Sequence, residues 1–159
     1  MKLLTLLVAV VVSCTSCNSA QQKTTDDSGN TTTATMKQEK ESPVFEYEAS
    51  SRGLYTKIVL DNKALKVVKG RGDSAVPKTI AVSDKDWNEI LGYFKNLDLA
   101  GIPNLKAPTE KRFYDGAAMA NFKVITKDGT YASDTFDHGF PPAAIAKIVN
   151  KLNELTEKK

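Results

Sequence analysis

Beyond position 43, apolar and polar residues take turns along the chain, and the period of the alternation predicts the elements. Phe45, Tyr47 and Ala49 alternate with Glu46 and Glu48, as in a strand with one wet face. Runs rich in β-branched residues at 53–60 and 64–69 flank Asp61-Asn62-Lys63, which predicts a hairpin. A loop at 70–73 and a short strand at 78–82 follow. Ser83 then stands as an N-cap with Asp86 at its third position, and Trp87, Ile90, Leu91 and Phe94 recur at helical spacing. Pro103 and Pro108 bracket an irregular connection. Alternating runs at 118–126 and 130–136 flank Lys127-Asp128-Gly129, and Asp-Gly in that setting is a strong hairpin signal. Pro141-Pro142 leads into a last helix with Ile145, Ile148, Val149, Leu152 and Leu155 on one stripe.

The order β-β-β-β-α-β-β-α predicts one α+β domain over 43–159. Its expected architecture is an antiparallel sheet of about five to six strands with both helices packed on one face. A domain of this length buries enough apolar surface to hold without disulfides.

The first 42 residues follow a different logic. Met1-Lys2 is a short positive start, an apolar run from Leu3 to Val12 is broken only by Thr5, and small residues follow, the three parts of a secretory signal. The run is too short for a spanning helix, which needs about 20 residues. Val11-Val12-Ser13-Cys14 resembles the bacterial lipobox, so 1–13 is expected to be cleaved and Cys14 to carry acyl chains. Cys17 offers a second frame, with Cys14 standing where the lipobox prefers Leu or Val. Several acyl chains on one cysteine give stable anchoring where a single chain gives only reversible binding. Residues 18–42 hold one Met and no aromatic or large branched aliphatic residue, so they have little to bury and read as a disordered tether. A coil of about 25 residues reaches roughly 25 to 30 Å.

Composition removes several kinds of chemistry. Cys14 and Cys17 are the only cysteines, so the domain has no thiol for a disulfide, a thiolate zinc site or a cysteine nucleophile. His138 is the single histidine, which rules out metal sites built on two or more imidazoles. Lys and Arg number 22 against 19 acids and are interspersed with them, so the basic stripe of a nucleic-acid binder is missing. No cofactor is expected.

Ser50-Ser51-Arg52-Gly53-x-Tyr55, Trp87, Leu105-x-Ala107-Pro108-Thr109, Tyr114-Asp115-Gly116-Ala117 and Phe136-Asp137-His138-Gly139 before Pro141-Pro142 together resemble a family of small lipoproteins of Bacteroidota. The resemblance covers nearly all of the domain. It implies an outer-membrane lipoprotein and no particular activity.

Arg52, Arg112, Asp115, Asp137 and His138 fall in predicted loops or strand ends, where functional residues concentrate. One arrangement has Asp137 orienting His138 as a general base, with Asp115 or an arginine completing a cleft. The other has Asp137 capping the turn before the last helix, Gly116 and Gly139 supplying positive φ, and the arginines pairing with the aspartates; it is favoured because Asp-Gly and His-Gly pairs are ordinary turn chemistry. Asp115, Asp134 and Asp137 could offer oxygen ligands to Ca²⁺, but their spacing matches no calcium loop, and no metal site is assigned. Arg71-Gly72-Asp73 reads as a solvated turn. Asp73-Ser74-Ala75 resembles a short O-glycosylation acceptor, with the sugar on Ser74.

The leading expectation is a monomeric, non-enzymatic envelope lipoprotein without catalytic residues. It would bind an envelope protein or a small ligand through the sheet face or the loops near Asp115 and Asp137. A small hydrolase using His138 and an enzyme inhibitor are the alternatives from other classes. Thr15 after the lipidated cysteine does not match the inner-membrane retention signal, and no acidic cluster follows, which favours the periplasmic face of the outer membrane over the cell surface.

Overall fold

The computed structural model describes residues 42–71 and 75–158, all within one packing unit. The signal at 1–13, Cys14, Cys17, the tether short of its last residue, and Ser74 lie outside the described residues.

Among the described residues seven strands form one open antiparallel sheet, with the helices on one face as the apolar periodicity requires. The strands are β1 (Val44–Ser50), β2 (Tyr55–Asp61), β3 (Ala64–Lys69), β4 (Lys78–Ala81), β5 (Met119–Thr126), β6 (Gly129–Ala132) and β7 (Phe136–Asp137). The helices are α1 (Asp84–Lys95) and α2 (Ala143–Glu157). The spatial order is β4-β3-β2-β1-β5-β6, with β7 also on β5. β1 to β4 are a meander of successive antiparallel neighbours. α1 and the connection after it then carry the chain back, so that β5 pairs with the free side of β1.

Alternation places Phe45, Tyr47 and Ala49 of β1, Ile58 and Leu60 of β2, Leu65 and Val67 of β3, and Phe122 and Val124 of β5 in the core. Trp87 and Ile90 of α1 and the whole predicted stripe of α2 are buried against them. Phe45 is the hinge of this packing, meeting Trp87 and Phe94 edge-on and stacking on Phe122. Neither α1 nor α2 covers the opposite face, where Lys123 of β5 stands 3.2 Å from Glu46 of β1.

The local signals behave as the physics asks. Ser83 Oγ accepts from Asp86 N–H at 3.1 Å and closes the first turn of α1. Asn62 and Lys63 both take positive φ, which matches the twist of a two-residue hairpin between Asp61 and Ala64. Lys151 of α2 reaches Asp86 and Glu89 of α1 at 2.9 Å each, fixing one helix against the other.

The expected strand at 130–136 is divided. Tyr131 lies opposite core-facing Val124, and Phe136 lies opposite core-facing Ala120, yet the two are an odd number of residues apart. Period two allows this only with one extra residue between them, a β-bulge. Ser133 holds the bulge by donating its N–H to Phe122 C=O at 2.9 Å and accepting from Phe122 N–H on Oγ at 3.1 Å. Beyond it the sides are reset, with Phe136 and His138 toward the core and Asp137 toward the opposite face.

Candidate functional site

The bulge decides what Asp137 and His138 do. Neighbours on a strand point to opposite faces, and here the two side chains have separate partners. Asp137 is completely buried, and its carboxylate collects four hydrogen bonds from the segment before β5. Oδ2 accepts from the Thr109 hydroxyl at 2.5 Å and Lys111 N–H at 2.7 Å, and Oδ1 accepts from Arg112 N–H at 3.0 Å and Arg112 Nη1 at 3.1 Å. Burial pushes this carboxyl up, but the Thr109 hydroxyl, the two amides and the guanidinium outweigh it and hold it at about 2. Asp137 therefore anchors the short 3₁₀ turn Lys111–Tyr114, and it does not orient His138. The alternative of an Asp137–His138 dyad is not formed, and the turn that the Asp137 carboxylate holds is the one ahead of β5, not the one before the last helix, because its four donors all come from residues 109–112.

Arg112 completes the anchor from the other side. Its Nη1 also donates to Thr109 C=O at 2.8 Å, its side chain is almost wholly buried, and its guanidinium lies 4.2 Å from the Phe113 ring centroid. The arginine–aspartate pairing expected from the sequence holds for Arg112 and Asp137. The glycine expectation holds for Gly139 at φ 86°, but at the other turn the positive φ falls on Asp115 itself, at 57°, and not on Gly116. Asp is among the residues that tolerate this conformation.

His138 turns inward. Its Nδ1 is 2.6 Å from the Tyr47 hydroxyl, and burial lowers its pKa. Burial also pushes the Tyr47 phenol up to about 12, with Asn153 pulling the other way. A neutral phenol donating to Nδ1 leaves the proton of a neutral ring on Nε2. The imidazole lines a cleft of about 400 Å³ between the turn at Gly139 and α2, with Asn150, Asn153, Glu154 and Glu157 on the helix side. No serine or threonine lines this cleft among the described residues.

Arg52 and Asp115 do come together. Both line a second cleft of about 290 Å³, where the β1–β2 turn at 51–53 faces the segment 115–118. Neither side chain has a hydrogen bond or ion pair among the described residues. Around this end of the sheet stand four exposed apolar side chains, Phe113 and Tyr114 on the 3₁₀ turn, Met119 at the start of β5 and Phe140 after β7. Lys111 Nζ sits 4.2 Å over the Phe140 ring. Asp115, Asp134 and Asp137 are not gathered, and among the described residues no three His, Cys, Asp or Glu side chains converge as metal ligands.

Sequence reasoning missed Tyr47, Thr109 and the exposed aromatics. Tyr47 looks like any core-facing strand residue. Phe113-Tyr114 left a readable trace, two adjacent aromatics between charges in a stretch with no strand or helix period.

No family model matches the chain, and no curated protein matches it. Among the described residues no helix is long and apolar enough to cross a membrane.

Proposed function

We propose that the chain is a membrane-tethered binding module of the cell envelope, held by lipid on Cys14, whose partner-facing surface is the sheet end around Arg52 and Asp115. The observation that carries the reading is that two charges without a partner among the described residues line one cleft, with four exposed apolar side chains beside it. Exposed apolar side chains grouped at one end of a sheet beside a polar cleft are the kind of feature that marks interaction sites. The backing is rigid, because the 3₁₀ turn behind the cleft is fixed to the sheet through Asp137. Preformed polar groups on a rigid support bind at lower entropic cost.

The placement of the termini supports the same reading. The chain enters β1 at Val44, and β1 ends at Ser50, which pairs with Met119 at the candidate end. Seven strand residues at about 3.3 Å each put roughly 20 Å between the start of β1, which follows the proposed tether in sequence, and this end. No catalytic group is invoked, since Asp137 is spent on the frame and His138 Nδ1 on Tyr47.

Site-specific photocrosslinking in the native host tests the proposal. A photoreactive phenylalanine analogue at Phe113 should give a discrete adduct, and one at Lys85 on exposed α1 should not. Equal labelling at both positions, or none at either, would sink the binding surface. The anchor has its own readout: Cys14→Ser should abolish incorporation of a clickable fatty acid and move the protein to the soluble envelope fraction.

A further inference from the structure

Resting on that reading, we propose that the 290 Å³ cleft between the β1–β2 turn and segment 115–118 is a subsite for a neutral saccharide. Its volume corresponds to about ten water molecules, room for a single pyranose. Tyr114 forms the platform under the sugar, Asp115 accepts from neighbouring hydroxyls, and Arg52 donates to hydroxyl or ring oxygens.

Charge points to the ligand class. A cation and an anion line one small cleft without pairing with each other or with another described side chain. A ligand satisfying both offers donors and acceptors side by side and carries no net charge, as a sugar or a zwitterion does, and the aromatic rim favours the sugar. An ionised carboxylate takes two hydroxyl donors at once, and a guanidinium presents a fixed fork of N–H groups.

The aromatic rim points the same way. Arg112 covers Phe113 and Lys111 covers Phe140, each at 4.2 Å, so two of the three exposed rings already carry a cation. Tyr114 carries none among the described residues and is 71% exposed. Its ring lies against Gly116 in the cleft wall: a Cβ at Gly116 would stand 2.9 Å from Tyr114 Cε2 and 3.3 Å from Lys111 C=O. The missing side chain is what lets the ring rest at the rim. An open ring face beside a polar cleft suits the C–H face of a pyranose, with its hydroxyls turned to Asp115 and Arg52.

Saturation-transfer NMR tests this with the full chain in a polyoxyethylene detergent, using chitohexaose, maltohexaose and cellohexaose as probes. At least one oligosaccharide should receive saturation on its ring C–H protons. Tyr114→Ala and Asp115→Asn should each weaken that binding about tenfold or more, with unchanged thermal midpoints since both side chains are exposed. Gly116→Ala, which keeps every ligand-facing group and displaces the ring, should weaken it as well. Transfer to none of the three probes, equal binding by the variants, or displacement by glycine zwitterion overturns the proposal. A protein adduct at Phe113 without saccharide binding would discard the sugar and keep the module, whereas loss of both would discard the surface itself.

Discussion

Replacing Asp137 by Asn should be among the most damaging isosteric changes in the domain. The substitution leaves Arg112 as a nearly buried cation without its counter-charge and turns an amide N–H toward donors that now face no acceptor. Breaking a buried ion pair by removing one member costs about 3–5 kcal/mol. A separate count agrees, since about two stranded donors at ~1–3 kcal/mol each fall in the same range. With an unfolding entropy of ~2.1 cal/mol/K per residue, a domain of this size should lose about 12–20 °C in Tm. Urea titration and calorimetry give the measurement. The loss should also depend on pH in a defined direction. The carboxyl is held at about 2 against an ordinary 3.8, so its stabilisation is complete above about 4 and disappears as pH falls from there toward 2. The gap between wild type and variant should be flat from pH 7 to 5 and close in the acid window. Adding Arg112→Met should cost less in the Asp137→Asn background than in the wild type, because the stranded cation is then gone. A loss under about 1 kcal/mol, or strict additivity of the two changes, would refute the anchor.

Two further outcomes follow from neighbouring groups. His138 is held below 6.5 by burial, so the folded state prefers the neutral ring; stability should be complete above that value and erode as pH drops through it, and His138→Gln should remove the slope between pH 7 and 5 in a urea series. Ser133→Ala leaves Phe122 N–H in the bulge without its Oγ partner and should cost about 1–3 kcal/mol, with faster hydrogen exchange at the Phe122 amide as the local readout.

What was legible in the sequence is what local periodicity encodes. β1, β2, β3 and both helices follow from alternation, from the Ser83 cap and from the α2 stripe, because one buried face imposes a period. The expected α+β sheet with both helices on one face is the observed architecture, with a short seventh strand added. The division of 130–136 was harder, although the odd spacing of Tyr131 and Phe136 is a trace of the bulge. The site depended on contacts that periodicity does not carry. Tyr47 meets His138 from a strand far away in sequence, and Thr109 meets Asp137 across the β5–β6 hairpin. Adjacency suggested that Asp137 and His138 act together, and the pleat separates them. Arg52 and Asp115 were both singled out for lying in turns, but only the pairing of Ser50 with Met119 puts those turns side by side.

The Asp137 anchor grips the segment ahead of β5 partly through main-chain amides, those of Lys111 and Arg112. An amide N–H is the same whatever side chain stands above it. Position 111 is thus held by a contact indifferent to its side chain, and the Phe113 N–H is held by Glu110 C=O, whereas Thr109 and Arg112 are held through their side chains. The segment is a mount with exchangeable fittings: Lys111, Phe113 and Tyr114 can be swapped without disturbing the frame that carries them. A library randomised at those three positions and fixed at Thr109, Arg112 and Asp137 should stay folded while, on the proposed reading, its binding changes.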